Sequence, residues 1–376
     1  MSNLEMVPKG LDGVVVDKTE LSRVDGTNGV LVYRGYNIDE VAQCSFEEIC
    51  YLFLYGDLPN IEQLKKIDKR LKAERSLPKA VWDFVANAPK NEHPMAVLRT
   101  AVSMLSGYML NVDDLSSDVL LRHAIALTSK VSTISAAISR ARQGLFAVEP
   151  SFDLSHAANY LYMSTGEIPQ DVVAKTLDMA LVLHADHGFN ASTFTARVVT
   201  SSLSDMVSAV TAAIGSLKGP LHGGANTAVM EMLIEIGSLE NVENWVNQTL
   251  QQKRKIMGFG HRVYKTIDPR AKHLKRMSKE WGERAGNVKW FLMSEKIEDM
   301  MQSFKHLNAN VDFYSASTYY AMGIEPEMFT AIFAVARTIG WTSHIIEQLV
   351  DNRIMRPEAA YAGPENKMFV PIEKRS

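Results

Sequence analysis

The chain has 376 residues, a hydrophobic fraction of 46%, a charged fraction of 22% and a formal net charge of −3. These values are typical of a globular protein of about two domains, and they exclude a global attraction to nucleic acid or to an anionic membrane surface. Two cysteines, Cys44 and Cys50, exclude a disulfide framework and lack metal-ligand spacing. Because the first residues also lack an apolar signal core and no segment approaches the roughly 20 apolar residues of a membrane span, we expect a cytoplasmic protein.

The strand signals are confined to the first forty residues. Two β-branched or aromatic runs, GVVV (13–16) and GVLVYRGY (29–36), are separated by the turn-forming DGTNG. This pattern predicts a short N-terminal β-hairpin. Strands that alternate with helices, as a doubly wound sheet requires, are absent from the remaining sequence pattern.

The rest of the chain follows the helical period. Apolar residues recur at alternating steps of four and three between residues 120 and 141, and residues 172–184 carry a second stripe. Residues 193–218 are rich in Ala, Ser, Thr and Val, which predicts one helix buried on most sides that stops at Gly219-Pro220. Residues 327–349 are apolar around most of the circumference of a helix. An all-α, mainly helical protein is therefore predicted.

Two breaks in the helical pattern, at 219–226 and 323–326, suggest a division into domains. Between them we expect a smaller domain over residues 219–325. The first part of the large domain is then residues 1–218, and its second part is residues 326–376.

A strongly basic segment lies between Lys253 and Arg276, with nine Lys or Arg residues and a single acid, Asp268. Within it, GFGHRVYKTIDPR (258–270) matches neither the dinucleotide-binding fingerprint nor a P-loop. Glycine amides beside cationic side chains can bind phosphate. A turn followed by a solvated basic helix fits the same residues, so both interpretations stay open at this point.

Two histidine motifs are candidates for ligand contacts. His222 is held in a loop by the proline and three glycines of GPLHGGAN (219–226), where it is suited to hydrogen bonding a ligand; an incidental histidine in a hinge is the alternative. In HADHGFNAST, His184 and His187 have a spacing that could hold zinc. Because no HExxH pattern accompanies them, buried histidines satisfied by hydrogen bonds are favoured.

Three further residues stand out for their charge. Arg337 in FAVARTIGW has no acid within one helical turn, so it pairs with a distant carboxylate or with a ligand carboxylate. Asp312 lies among small and apolar residues, and burial would raise its pKa towards a value useful for a general base. An N-cap or a surface role is the alternative. Arg356 precedes a proline near the C-terminus, where surface exposure is the default.

GPLHGGAN, GFGHRVYKTIDPR and VDFYSAS occur in the order and spacing of citrate synthases, and the chain resembles the short bacterial and archaeal form along essentially its full length. HPMAVLRTAVS, FNASTFTARV, PEMFTAIFAVARTIGW and HIIEQLVDNRIMRP are similar to bacterial 2-methylcitrate synthase. The resemblance implies the citrate synthase fold, in a homodimer of helical subunits that each have a large domain and a small mobile one.

The activity implied by the resemblance is that of an acyltransferase of the tricarboxylic acid cycle. It joins acetyl-CoA to oxaloacetate and hydrolyses the thioester to give citrate and CoA, with neither a metal nor a cofactor beyond the substrates. The alternative is 2-methylcitrate synthase, which uses propionyl-CoA. A helical scaffold that binds nucleic acid through residues 253–276 is a rival from another class, but it gives no reason for Arg337 in an apolar helix or for His222 among glycines.

The resemblance also assigns roles by motif position. Asp312 would remove the α-proton of the acyl-CoA, while His222 and His261 would hydrogen bond the thioester oxygen and the oxaloacetate ketone. Oxaloacetate would be held by His187, Arg270, Arg337 and Arg356, the last reaching into the partner subunit's site. CoA would be held by Lys255, Ile256, Met257, Gly258 and Phe259. Family members often have Glu where this chain has Gly188, a departure that bears on how His187 is positioned.

Overall fold

A small antiparallel sheet opens the fold. The computed structural model describes residues 8–260 and 263–375. Its strands are β1 (Ser22–Asp25), β2 (Val30–Tyr33) and β3 (Tyr36–Asn37), in the order β1-β2-β3, with Ser22 opposite Tyr33. The predicted strand at 13–16 is wrong: these residues are exposed coil, and Val15 is 88% exposed. The turn at 26–29 pairs β2 with the residues directly before the turn, so an upstream run has no partner whatever its β-propensity.

Sixteen α-helices follow in the described part of the chain. They are α1 (Ile38–Val41), α2 (Phe46–Tyr55), α3 (Ile61–Ala73), α4 (Lys79–Asn87), α5 (Pro94–Met104), α6 (Ser117–Arg142), α7 (His156–Thr165), α8 (Asp171–His184), α9 (Ala191–Ser201), α10 (Met206–Leu217), α11 (Ala225–Ile236), α12 (Val242–Gln251), α13 (Ala271–Arg284), α14 (Lys289–Lys305), α15 (Val311–Ala321) and α16 (Phe329–Val350). Short 3-10 helices lie at Lys9–Leu11, Leu105–Gly107, Leu239–Asn241, Pro326–Met328 and Ile372–Lys374.

The helical periodicity located three of these sixteen helices. The helices predicted over 120–141, 172–184 and 327–349 are confirmed as α6, α8 and α16. The single helix predicted over 193–218 is wrong, because α9 ends at Ser201 and α10 begins at Met206. Between them Leu203 takes a positive φ of 65°, and the Asp205 side chain accepts a hydrogen bond from the backbone N–H of Ser208. A left-handed residue followed by an N-cap stops one helix and starts the next.

A first group of helices forms around α16, which runs through the interior and packs against α6, α8, α9 and α10. A second group forms where α11 and α13 pack on α15, and α12 packs on α14. The chain passes between the groups before α11 and again after α15, and two hydrogen bonds join these passages. Thr227 Oγ1 donates to the Pro326 carbonyl at 2.8 Å, and Thr330 Oγ1 donates to the Gly223 carbonyl at 2.9 Å.

No helix within residues 8–260 and 263–375 combines the length and the apolar character that crossing a membrane requires.

Candidate active site

A cavity of about 1460 Å³ lies between the two helix groups. Its walls come from the turn after α8, the loop before α11, the loop that follows α12, the first turn of α15 and the middle of α16. Ten residues singled out in the sequence line it: His187, His222, Lys255, Ile256, Met257, Gly258, Phe259, Arg270, Asp312 and Arg337. Motifs that are up to 150 positions apart therefore converge on one space.

Asp312 lies in the first turn of α15 and faces this cavity. The N-cap is Asn310, whose side chain accepts a hydrogen bond from the Asp312 backbone N–H, so the carboxyl of Asp312 does not serve as the cap. Its Oδ1 atom has no hydrogen-bond partner among the described residues. Burial raises the pKa of Asp312 to about 7, against the opposing effect of the Arg270 charge. An unpaired carboxyl with a pKa near neutrality is suited to general base catalysis.

This pKa predicts how activity depends on pH. Asp312 acts as a base only when ionised, so kcat/KM for the acyl-CoA should rise with pH through about 7 and level off above it. Burial lowers the pKa of His222 to about 4, so that ring stays neutral across the same range. Initial rates measured across the neutral range provide the test, and a flat profile would show that Asp312 does not titrate as the base.

The neighbours of His222 determine which of its two ring nitrogens carries the proton. Its Nε2 atom lies 2.8 Å from Ser192 Oγ and 3.3 Å from the backbone nitrogen of Ser192. Because a backbone N–H can only donate, Nε2 accepts, and the proton of the neutral ring is on Nδ1. The Trp341 indole N–H donates to Ser192 Oγ at 3.1 Å and fixes the hydroxyl. His222 is thus a neutral hydrogen-bond donor at the cavity wall, suited to an oxygen that gains negative charge.

Arg337 supplies a buried cation that no carboxylate neutralises at close range. Its Nε donates to the His184 carbonyl at 2.7 Å and its guanidinium lies 4.8 Å above the centre of the Phe333 ring. Burial lowers the pKa of Arg337 to about 10, partly offset by Asp186, so it stays charged. No ion pair to Arg337 occurs among residues 8–260 and 263–375. Of the two interpretations of this arginine, the geometry favours a ligand carboxylate.

Arg270 differs from Arg337 in having a protein partner. Its Nε and Nη2 atoms donate to the two carboxylate oxygens of Asp268 at 3.0 and 2.8 Å. Burial disfavours the charge on Arg270, but Asp268 outweighs that effect and raises its pKa. This fork fixes the guanidinium beside the cavity, which Arg270 also lines.

His187 lies in the turn after α8 and is held by an aromatic neighbour. Its Nε2 atom is 3.1 Å from the Tyr264 hydroxyl, and the two rings meet edge to face. Gly188 has a φ of 55°, and its backbone N–H donates to Ser22 Oγ at 2.8 Å. The turn is therefore anchored through the backbone of Gly188.

The zinc alternative for His184 and His187 finds no support in the geometry. His184 is buried, its Nδ1 is 2.7 Å from the Ala180 carbonyl, and burial lowers its pKa to about 3. In the described ranges no group of three or more His, Cys, Asp and Glu side chains is arranged to hold a metal ion.

The loop 255–259 is joined directly to the segment that carries Asp312. The Asn310 N–H donates to the Gly258 carbonyl at 2.9 Å, and the Gly260 N–H donates to the Asn308 carbonyl at 3.2 Å. Gly258 has a φ of 82°, and a Cβ atom there would lie 2.6 Å from the Phe313 ring. Only glycine fits, which explains this glycine of the GFG turn in structural terms.

One predicted site residue does not line this cavity. Arg356 is exposed and does not line the cavity of its own chain. His261 lies outside the described residues. Conversely, Ser192 and Trp341 make contacts that no sequence motif indicated, because their partners become neighbours only in the folded chain.

A helical fold whose cavity joins an unpaired carboxyl, a neutral histidine donor and arginines defines an enzyme suited to proton transfer on an anionic carbonyl substrate. A family model described as "Citrate synthase, C-terminal domain" matches residues 10–358. The chain belongs to the citrate synthase family, whose members are acyltransferases. The predicted family, fold class and enzyme class are thereby confirmed.

Similar proteins carry the names of two enzymes, citrate synthase and 2-methylcitrate synthase. The chain is 49% identical over 370 residues to citrate synthase 2 of Bacillus subtilis, covering 98% of this chain and 99% of that protein. It is 41% identical over 364 residues to a 2-methylcitrate synthase of Mycobacterium tuberculosis, covering 96% and 92%. A Thermoplasma acidophilum citrate synthase, solved as a ternary complex with carboxymethyl coenzyme A and oxaloacetate, superposes with a TM-score of 0.93 at 33% identity, covering 98% of this chain and 99% of that one.

Proposed function

We propose that the chain condenses acetyl-CoA with oxaloacetate and hydrolyses the thioester to give citrate and CoA. The observation that carries the proposal is the unpartnered Asp312 carboxyl, with a pKa of about 7, in one cavity with neutral His222 and with Arg337. Relatives named citrate synthase, and a structural neighbour holding oxaloacetate and a CoA analogue, support it.

The chemistry follows from these groups. Asp312 Oδ1 takes the α-proton of the thioester while the His222 N–H stabilises the enolate oxygen, because a weakly acidic carbon is deprotonated only if the charge is stabilised as it forms. The α-carbon then forms a bond to the ketone carbon of oxaloacetate, and the ketone oxygen takes up a proton, a step we assign to His261. Water finally cleaves the thioester and CoA leaves as the thiol.

We assign the two carboxylates of oxaloacetate to Arg270, Arg337 and His187. The fork between Arg270 and Asp268 and the stacking of Arg337 on Phe333 fix both guanidinium planes before the substrate arrives. Fixed donors lower the entropy cost of orienting the ketone for attack. Lys255, Ile256, Met257, Gly258 and Phe259 are assigned to CoA, because their loop lines the same cavity next to the base.

Residues 219–325 are proposed to move as a small domain against residues 1–218 and 326–376. Support comes from the two chain passages at its borders, which adjoin and are joined by the hydrogen bonds of Thr227 and Thr330. Two adjacent chain segments that act as one hinge would allow the walls of the cavity to move towards each other. Closure would exclude water until condensation is complete.

The active form is proposed to be a homodimer in which Arg356 completes the partner's site. After α16 the chain runs on largely exposed and carries large apolar side chains that the single chain leaves in solvent. They are Ile354, Tyr361, Met368, Phe369, Val370 and Ile372. An exposed apolar segment of this kind marks a protein interface, and Arg356 lies within it, away from its own cavity.

Mixing two inactive variants tests this sharing. Arg356→Ala and Asp312→Asn should each be nearly inactive alone. In a mixed dimer one site would have both Asp312 and the partner's Arg356 intact, so random mixing should restore about a quarter of wild-type activity. The measurement is the condensation rate after the two are unfolded and refolded together, with each refolded alone as control. No recovery would contradict the sharing of Arg356.

We place the protein in the cytoplasm, and the nucleic-acid scaffold is not favoured. Both cysteines are free, which suits a reducing compartment. Part of the basic segment is neutralised within the fold, because three of its nine cations, Arg270, Lys272 and Lys275, pair with Asp268, Asp39 and Glu298. Cations engaged in this way offer little charge to a phosphate backbone.

Comparing acyl-CoA substrates tests the function itself. We expect oxaloacetate-dependent release of CoA from acetyl-CoA, with citrate as product. Propionyl-CoA adds one methylene, which a pocket discriminates by about 1–3 kcal/mol, so a measurable slower reaction to 2-methylcitrate is expected. Reactions without oxaloacetate are the control. Negligible turnover of both thioesters would contradict the proposed function, and faster turnover of propionyl-CoA would assign the chain to 2-methylcitrate synthesis, as the name of one relative suggests.

A further inference from the structure

The turn that carries His187 is held from behind by a buried polar cluster outside the cavity. Asp186 Oδ2 accepts hydrogen bonds from Ser22 Oγ at 2.5 Å, from His344 Nε2 at 3.2 Å and from the Gly188 N–H at 3.3 Å. On its other side the Tyr33 hydroxyl donates to the Asp186 carbonyl at 2.9 Å. Ser22, Asp186 and His344 are all buried, and none of them lines the cavity.

A serine, a histidine and an aspartate in contact suggest nucleophilic catalysis, but the order of contacts excludes it. A catalytic histidine lies between the other two residues and takes the proton of the serine. Here the aspartate lies between Ser22 and His344, so the histidine does not contact the hydroxyl, and none of the three residues faces the cavity where a substrate would bind. The cluster therefore acts on the shape of the turn and not on bonds of a substrate.

His344 presents a hydrogen to Asp186 whatever its own charge. Its Nε2 faces a carboxylate, which can only accept, so Nε2 carries a proton in both the neutral and the charged ring. The other ring nitrogen, Nδ1, is 3.3 Å from Arg197 Nη1 and 3.7 Å from Glu347. Asp17, a further charged neighbour, binds Arg197 Nη2 at 2.8 Å, and the charge of Arg337 also acts on Asp186. The Nε2–H of His344 therefore donates to Asp186 in both charge states of the ring, so this contact does not act as a pH switch.

The same contacts tie the turn to the N-terminal segment. Arg197 bridges Glu347 of α16 and Asp17, and Ser22 of β1 reaches Asp186. Residues 14–17 of this segment line the cavity. Because Gly188 has a positive φ and no side chain, the turn has no side-chain anchor of its own at that position.

We propose that Ser22, Asp186 and His344 are positioning residues that hold residues 186–188 in the shape that aims His187 at oxaloacetate. Their loss should weaken oxaloacetate binding and leave the acyl-CoA contacts unaffected, since the loop 255–259 and Asp312 lie on other elements. This inference rests on the proposed role of His187 in binding oxaloacetate.

His344→Leu and His344→Gln form the matched pair that tests it. The leucine removes the donor to Asp186, whereas the glutamine amide keeps an N–H near the position of Nε2. For His344→Leu we expect the KM of oxaloacetate to rise roughly 10- to 100-fold, the KM of acetyl-CoA to change less than about threefold, and His344→Gln to recover most of the loss. A general loss of fold would lower active enzyme without splitting the two KM values.

Ser22→Ala tests the positioning role if His344→Leu does not fold. It removes one of the bonds to Asp186 and one to Gly188, and the KM of oxaloacetate should rise roughly threefold to tenfold. An active wild type together with unchanged oxaloacetate KM in Ser22→Ala and in every folded His344 variant would overturn the positioning role alone. A wild type that is inactive with both thioesters would instead overturn the proposed function, and this inference with it.

Discussion

Asp312→Asn is expected to lower kcat for condensation about 10²- to 10⁴-fold, the range that general base catalysis contributes, while oxaloacetate binds nearly as in wild type. The amide has the shape of the carboxyl but cannot take the α-proton. The rate of CoA release gives kcat, and calorimetry with oxaloacetate gives the affinity. Asp299→Asn, an exposed acid on α14, is the matched control and should behave as wild type. Wild-type turnover of Asp312→Asn would refute the assignment of the base.

The same variant should not lose stability at neutral pH and above. Burial raises the pKa of Asp312 from 3.8 to about 7, so between these values the folded chain binds a proton that the unfolded chain has released. The free energy of unfolding contributed by this group therefore falls as pH rises through that window. Asparagine does not titrate, so Tm above pH 7 should be equal to or higher than that of wild type. A lower Tm would indicate that the carboxylate makes stabilising contacts.

Arg337→Gln is expected to weaken oxaloacetate binding by about 2–5 kcal/mol, which is about 30- to 5,000-fold, because the substrate carboxylate loses a desolvated partner. Arg337→Lys keeps the charge without the planar fork and should fall between that variant and wild type. The measurement is the Kd for oxaloacetate by calorimetry. Unchanged affinity in Arg337→Gln would show that this arginine binds something other than oxaloacetate.

A second buried arginine separates binding from stability. Arg197 forms ion pairs with Asp17 and Glu347, whereas Arg337 has no ion pair among the described residues. Arg197→Gln removes the cation that Asp17 and Glu347 share and should lower Tm more than Arg337→Gln does. The reverse order of Tm values would mean that Arg337 is mainly structural.

The sequence predicted the helices better than the strands, for a physical reason. The periodicity that located α6, α8 and α16 reports burial of a helix face, which is a local property of the chain. Pairing of β1 with β2 is set by the turn, so the β-branched run at 13–16 was misleading. The break between α9 and α10 depends on Leu203 in a left-handed conformation, which residue type does not indicate.

For the candidate site, the motifs located the residues that line the cavity but not those that hold them. His222, Asp312 and Arg337 were noticeable because glycines or apolar neighbours surround them in sequence. The bond from Trp341 to Ser192, which positions the hydroxyl beside His222, joins positions 149 apart. The contact of His344 with Asp186 spans 158 positions. Such pairs follow from the packing of α16 on α9 and α8, which sequence patterns leave open.

A crystal structure of this chain with oxaloacetate and carboxymethyl-CoA is the most direct test that both substrates meet in the cavity beside Asp312. We expect the carboxymethyl group within hydrogen-bond reach, about 3 Å, of Asp312 and His222, with the oxaloacetate carboxylates on Arg270 and Arg337. Binding of either ligand outside the cavity, or a carboxymethyl group remote from both Asp312 and His222, would contradict the proposed chemistry.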